Sequence, residues 1–234
     1  MMKLYKYLLL ASIVCAGNVC LAQTDVNTLI KNVSAKIDKV NNYEADGKMK
    51  TNVTFLKVPE SVVKIYFKKP NKLKIKNEKG ISFVPKGAVS INLSNIINGG
   101  KYTALDAGME KIDNKAVRVV KLLPEDDNAD VVLSTVYIDE VNQVIKKAKT
   151  TTRENGSYQL EMTYSKYIAY GLPDKIIFTF NTKDYKLPKG VTFDFDDGAA
   201  AKKTTPETLK KNQGMAEIIF YSYKVNQGVA DNVF

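Results

Sequence analysis

The sequence predicts a mainly β protein of the α+β class, in which a long antiparallel meander curls around a single N-terminal helix. Three observations predict it. A helical apolar stripe occurs near the start of the chain, and nothing helical of comparable length follows it. Runs that alternate with period two then fill most of the sequence, about ten of them, each with an apolar and a lysine-rich face. The connections between them are short and carry turn residues such as Pro-Asn, Asn-Gly and Asp-Asp-Gly. A helix of about 16 residues spans about 24 Å, too little to cover so many strands laid flat. Curling the sheet solves the packing and gives either a closed barrel or a half-barrel with a helical lid. Both shapes tend to leave an apolar cavity in which a lipid-like ligand can bind.

The first element is a leader. Lys3 and Lys6 form a basic region, Leu8 to Ala16 an apolar run of nine residues, and Cys20 and Ala22 a small-residue cleavage site. The run falls well short of the roughly 20 residues that a bilayer demands, so residues 1–22 read as a secretory signal peptide cleaved near Ala22. The chain is therefore expected to be exported. Both cysteines, Cys15 and Cys20, lie inside the leader, and Val14 and Val19 precede them where a lipidation signal needs a small residue. Residues 23–234 are expected to be one exported domain, unlipidated and without disulfides.

The helix comes next. Val26, Leu29, Ile30, Val33, Ile37 and Val40 make one stripe, with Asp25 placed to cap it. In the strand that follows, "YEADGKMKTNVTF", the residues Tyr43, Ala45, Gly47, Met49, Thr51, Val53 and Phe55 share one face. "VKIYFKKPNKLKIKN" is a hairpin about Pro70-Asn71. Val63, Ile65, Phe67, Leu73 and Ile75 point one way, and Lys64, Lys68, Lys72, Lys74 and Lys76 mostly the other. A short helix is expected around "INLSNIING". Strands are expected in "AVRVVKLL", "DVVLSTVYID", "QVIKKAKTTT", "SYQLEMTYSKY", "DKIIFTFN", "VTFDFDD" and "AEIIFYSYKV". "ENGS" suits a two-residue hairpin turn of type I′. "TPETLKKNQG" reads as a second helix, stopped at Gly214.

By this alternation Met49, Val53, Phe55, Val63, Ile65, Phe67, Leu73 and Ile75 form the concave wall and are the candidate ligand-binding residues. The plainer alternative, that each is closed core, stays open. Leu93, Ile96 and Ile97 make either a second part of a lid or a packed turn.

Composition narrows the chemistry. There is no histidine, and the exported part has no cysteine. Serine–histidine and cysteine–histidine catalysis and histidine metal sites are thereby removed. The acidic clusters "FDFDDG" and "PEDDNAD" lack calcium-loop spacing and read as a strand end and a surface loop. No metal and no cofactor is expected. The net charge of +10 falls after cleavage to 33 basic side chains against 25 acidic ones. Only Arg118 and Arg153 are arginines, so the lysine-rich surface is a poor reader of nucleic acid. A polysaccharide-active enzyme remains an alternative, since paired carboxylates can sit anywhere in a sequence.

At "FKKPNKLKIK" the sequence resembles the Lys-Arg-Pro-Asn turn of the periplasmic lipoprotein carriers of the LolA/LolB lipoprotein-sorting family. "AKIDKVNNYEADGKMK" resembles that family's first helix and strand. "VYIDEVNQVIKKAKTTTRENGSYQLEMTYSKY" resembles its strand-and-hairpin block, and "IIFTFNTKDYKLPKGVTFDF" its Phe-x-Phe and Pro-x-Gly-Val segment. The ordered set spans roughly residues 37–197. The resemblance implies an unclosed half-barrel with a helical lid, and a cavity that receives acyl chains of outer-membrane lipoproteins. It implies acylated lipoproteins or lipids as partners of a monomeric carrier, with an inner-membrane donor complex and an outer-membrane acceptor. A lipid-sensing envelope regulator on the same fold is the alternative function. The family's arginine in the turn ties lid to wall and aligns with Lys69, which is therefore the candidate for lid control. Lysine keeps the charge and loses the fork of donors.

Overall fold

The computed structural model describes residues 25–53, 56–57, 60–70, 72–77, 101–154, 156–181 and 213–234. The expected leader, Phe55, Leu93, Ile96, Ile97 and the "FDFDDG" cluster lie outside these residues. So do the helix expected at "INLSNIING" and residues 205–212 of the helix expected before Gly214.

One helix, α1 (Val26–Ile37), opens the described chain. It starts where the stripe predicts, because the Asp25 carboxylate accepts a hydrogen bond from Thr28 N at 3.0 Å and satisfies an otherwise orphaned donor. Its apolar stripe buries Leu29, Ile30 and Val33. Eleven strands follow: β1 (Asn42–Val53), β2 (Leu56–Lys57), β3 (Ser61–Lys68), β4 (Lys72–Asn77), β5 (Tyr102–Ile112), β6 (Lys115–Pro124), β7 (Val131–Asp139), β8 (Val144–Thr152), β9 (Ser157–Thr163), β10 (Lys175–Asn181) and β11 (Gln213–Val225).

All belong to one antiparallel sheet in the order β4-β3-β1-β11-β10-β9-β8-β7-β6-β5, with β2 paired to the end of β1. Among the described residues β4 and β5 do not pair, so the sheet is not closed. It is nevertheless curved. Laid flat, ten strands would put β4 and β5 about 43 Å apart, whereas α1 is about 18 Å long. Yet α1 touches β5 at one edge and is bonded by Lys69, in the β3–β4 turn, near the other. Only a sheet wrapped around the helix allows both.

Two glycines let strands meet closely inside this curve. At Gly47, beside the register shift that bends β1 against β11, a Cβ would come 2.5 Å from Ile219 O. At Gly214 a Cβ would collide with the Phe180 ring, at 2.3 Å. Gly214 therefore opens β11 opposite Phe180, where the sequence suggested a helix stop.

Two further differences have physical causes. The strand β5 escapes the alternation reading because it is an exposed edge interrupted by a bulge between Asp106 and Met109, with Gly108 at φ 87°. The "ENGS" connection is wider than a two-residue turn, since Thr151 pairs with Ser157. Arg153 opens it by donating to Ala129 O at 3.0 Å and Asp127 O at 2.6 Å. That contact also anchors the acidic surface loop before β7.

The outer face carries the lysines, and acids on neighbouring strands meet them. Lys48 pairs with Glu60 at 2.7 Å, Lys64 with Glu44 at 3.3 Å, and Lys175 with Glu217 at 2.5 Å. Such pairs steady strand register at small individual gain. The residues from Asn226 onward fold back over this face. Asp231 bonds Lys68 at 3.1 Å and Lys72 at 2.7 Å, and Lys74 donates to Phe234 O at 3.2 Å.

Candidate functional site

The inner, concave face is the candidate site. Its register follows from the pairings: side chains directly opposite in an antiparallel pair share a face. Ala45, Met49, Val63, Ile65 and Phe67 come from β1 and β3. Ile176, Phe178, Phe180, Ala216, Ile218 and Leu160 come from β9 to β11. Val120, Leu122, Val136, Ile138 and Ala148 extend the face across β6 to β8. With Leu29, Ile30 and Val33 of α1 they make one continuous apolar cluster. Of the wall residues expected from the sequence, Met49, Val63, Ile65 and Phe67 are buried in this cluster, and Leu73 and Ile75 pack against it half-buried. Val53 lies on β1, and nothing further is described there.

One end of the face is aromatic. Tyr43 stacks on Phe67 at 5.2 Å and meets the edge of Tyr223 at 5.3 Å, while Tyr167 and Phe220 each approach Tyr223 at 4.9 Å. These rings need partners for their hydroxyls when buried. Tyr223 donates to Pro173 O at 2.7 Å, and nearby Tyr164 donates to Ile145 O at 2.8 Å. Burial pushes the phenols of Tyr43, Tyr164 and Tyr223 above their ordinary range, because a buried phenolate would lose its hydration.

The C-terminal end of α1 lies at this aromatic end and is tied on two sides. Lys69 Nζ donates to Asp38 O at 2.8 Å and sits 3.0 Å from Asp38 Oδ1. It therefore meets an orphan carbonyl and the negative end of the helix dipole together. Across the face, Lys36 Nζ donates to Asn142 O in the β7–β8 turn, which Asp139 braces by accepting from Asn142 N at 2.9 Å. Burial, then the nearby Lys39, lowers the Lys36 pKa, and Asp139 opposes that shift. Beyond the helix, Asn226 accepts from Asn41 N at 2.7 Å and donates to Lys39 O at 2.7 Å.

The opposite end of the face carries hydroxyls. Ser134 and Thr150 bond each other at 3.0 Å, and Tyr158 bonds Thr150 beside them. On β1 and β3, Thr51 Oγ1 and Ser61 Oγ are buried without a hydrogen-bond partner among the described residues. Sequence reasoning placed Thr51 on the inner face and missed what its hydroxyl lacks.

It missed Arg118 altogether. Register with Ile138 puts this side chain on the inner face, 1 % exposed, 3.3 Å from Glu140 and 3.6 Å from Asp106. A buried guanidinium is tolerable only with such counter-charges. Among the described residues no group of three or more acidic, cysteine or histidine side chains comes together to hold a metal.

No protein-family model matches the sequence, and no curated protein matches it either. Solved structures do match in fold. A structure described as an outer membrane lipoprotein-sorting protein domain from Vibrio parahaemolyticus is 10% identical with a TM-score of 0.54, over 89% of this chain and 96% of that one. A DUF1329 family protein from Desulfovibrio piger is 12% identical with a TM-score of 0.56, over 90% and 98%. A LolA superfamily protein from Nitrosomonas europaea is 10% identical with a TM-score of 0.53, over 91% and 98%. At these identities the likeness is one of architecture: the chain has the LolA-like fold, a single antiparallel sheet wrapped, unclosed, around a helix.

Proposed function

We propose that this chain is a soluble periplasmic carrier. It holds the acyl chains of lipoproteins against the concave face and moves them toward the outer membrane. One observation carries the reading. The apolar face runs unbroken across the sheet from β3 to β6, yet a single 12-residue helix is set against it among the described residues. A wide, concave apolar face with one helix laid along it is the kind of site that takes an apolar guest. The fold likeness to a lipoprotein-sorting domain supports the same reading.

The guest enters where α1 yields. Hydrocarbon burial supplies about 0.8 kcal/mol per methylene, so two long chains outweigh the few hydrogen bonds that hold the helix end. Native mass spectrometry of the protein purified from its own envelope tests the proposal. Bound acylated lipoprotein is the expected result, together with lipoproteins stranded at the inner membrane on depletion. Ligand-free protein with no affinity for acyl chains would sink the proposal. Acyl binding with normal lipoprotein traffic would point to the lipid-sensing alternative.

A further inference from the structure

The hydroxyl end of the concave face has chemistry that hydrocarbon does not use. Thr51 is 5 % exposed, and its Oγ1 has no hydrogen-bond partner among the described residues. The same holds for Ser61 Oγ. The register brings the two together. Ser61 lies opposite Met49 and Thr51 opposite Ala216, so both side chains share the inner face on adjacent strands, one diagonal step apart. A buried hydroxyl left unbonded is costly, and buried polar groups in native proteins are nearly always satisfied. Two such hydroxyls side by side therefore ask for a common acceptor.

What that acceptor is follows from charge. Among the described residues, no cation faces inward at this end. Arg118 lies at the other end, engaged by Asp106 and Glu140, and the lysines flanking this region, Lys48 and Lys50, are on the outer strand face. The Tyr158–Thr150–Ser134 group is neutral as well, and Asp130 lies near it. A free carboxylate or phosphate would arrive unpaired. A neutral carbonyl would not, because each of its lone pairs can accept from a hydroxyl.

We propose that Thr51 and Ser61 form a subsite for the carbonyl of a neutral acyl ester or amide, with the hydrocarbon chain running inward along Met49, Ile65 and Ile218. The inference rests on the acyl-binding reading above and deepens it. The guest is an esterified or amidated acyl group and not a free fatty acid. Bound, its polar linkage lies at the hydroxyl end and its chain ends point toward the aromatic cluster.

The test compares two probes with the same chains. 1,2-Dioctanoylglycerol carries ester carbonyls, and 1,2-di-O-octylglycerol carries ether linkages in their place. Calorimetric titration of the intact protein should show the ester bound more tightly, by roughly 5-fold for each hydroxyl engaged. Thr51→Val with Ser61→Ala should erase that preference and leave ether affinity unchanged. Thr51→Val alone should raise Tm, because it removes an unsatisfied group at constant shape. A dioctanoylglyceryl-cysteinyl peptide, run beside the free diacylglycerol, separates a lipoprotein source from a lipid one by whichever binds tighter. Equal affinity of the wild-type protein for ester and ether overturns the subsite. So does a fall in Tm on Thr51→Val. Binding of neither probe overturns the acyl-binding reading itself.

Discussion

The two ends of the concave face use tyrosine and hydroxyl groups in opposite ways. At the aromatic end the phenols bond the main chain: Tyr223 donates to Pro173 O, Tyr164 donates to Ile145 O, and Tyr167 accepts from Tyr223 N. The rings pack on one another, and the helix end is tied there from both sides. At the hydroxyl end Ser134, Thr150 and Tyr158 bond one another, and the hydroxyls of Thr51 and Ser61 have no hydrogen-bond partner among the described residues. The first arrangement fixes geometry, since each bond is to an immobile backbone atom. The second leaves donor capacity available. A binding face needs both, a rigid end to define shape and an end that is completed only when something arrives.

The largest effect should come from breaking the rigid end. Tyr223→Ala removes contacts to Tyr43, Tyr167 and Phe220 and leaves Pro173 O unpaired. The expected cost is about 3–5 kcal/mol in urea unfolding, whereas Ser134→Ala at the other end should cost about 1 kcal/mol. Equal losses at the two sites would erase the distinction.

The next effect is one of pH. The phenols of Tyr43, Tyr164 and Tyr223 are raised by burial. The unfolded chain therefore releases these protons first as pH passes about 10, and stability falls with rising pH from there. Each phenol should contribute about 1.4 kcal/mol per pH unit until it titrates in the folded state. Urea midpoints between pH 9 and 11 measure the slope, and Tyr43→Phe should make it shallower by one phenol's share.

A smaller effect is expected at Lys69. Lys69→Ala should cost about 1 kcal/mol, since a half-exposed pair is worth little and the carbonyl bond somewhat more. Its signature is local: amides in the last turn of α1 should exchange about 5-fold faster, with those of β9 and β10 unchanged. Lys69→Arg should restore protection. The smallest effect should be that of Asp25→Ala. Loss of the cap ought to cost about 1 kcal/mol or less and fray only the first turn.

Much of this arrangement was legible in the sequence because period governs exposure. The stripe from Val26 to Val40 located α1, and strict alternation put Met49, Val63, Ile65 and Phe67 on one face. Lys69 was singled out by resemblance, and its ammonium lies against Asp38 O at the end of α1. The features missed lack a periodic signature. Strand β6 buries both faces, with Val117 and Val119 against Tyr137 outside and Val120 inside, so Arg118 did not stand out within it. Strand β5 is an exposed, bulged edge. The Thr51 and Ser61 hydroxyls read as ordinary strand residues, because the lack of a partner depends on what surrounds them in space.

The place of β1 in the sheet has a consequence in time. Its neighbours are β3 and β11, so the first strand of the chain is held on one side by the last, with Asn42–Val53 paired along Gln213–Val225. Until β11 exists, β1 and β10 are bare edges at the middle of the sheet, and α1 has half a trough to lie in. That seam closes a loop of about 160 residues, so its entropy must be met before the pairing returns anything. The order of synthesis and the order of assembly therefore differ: what is made first is finished last. A nascent chain of this fold is a sticky object throughout its elongation, and a holding factor that shields the β1 edge would act on the slowest step of its maturation.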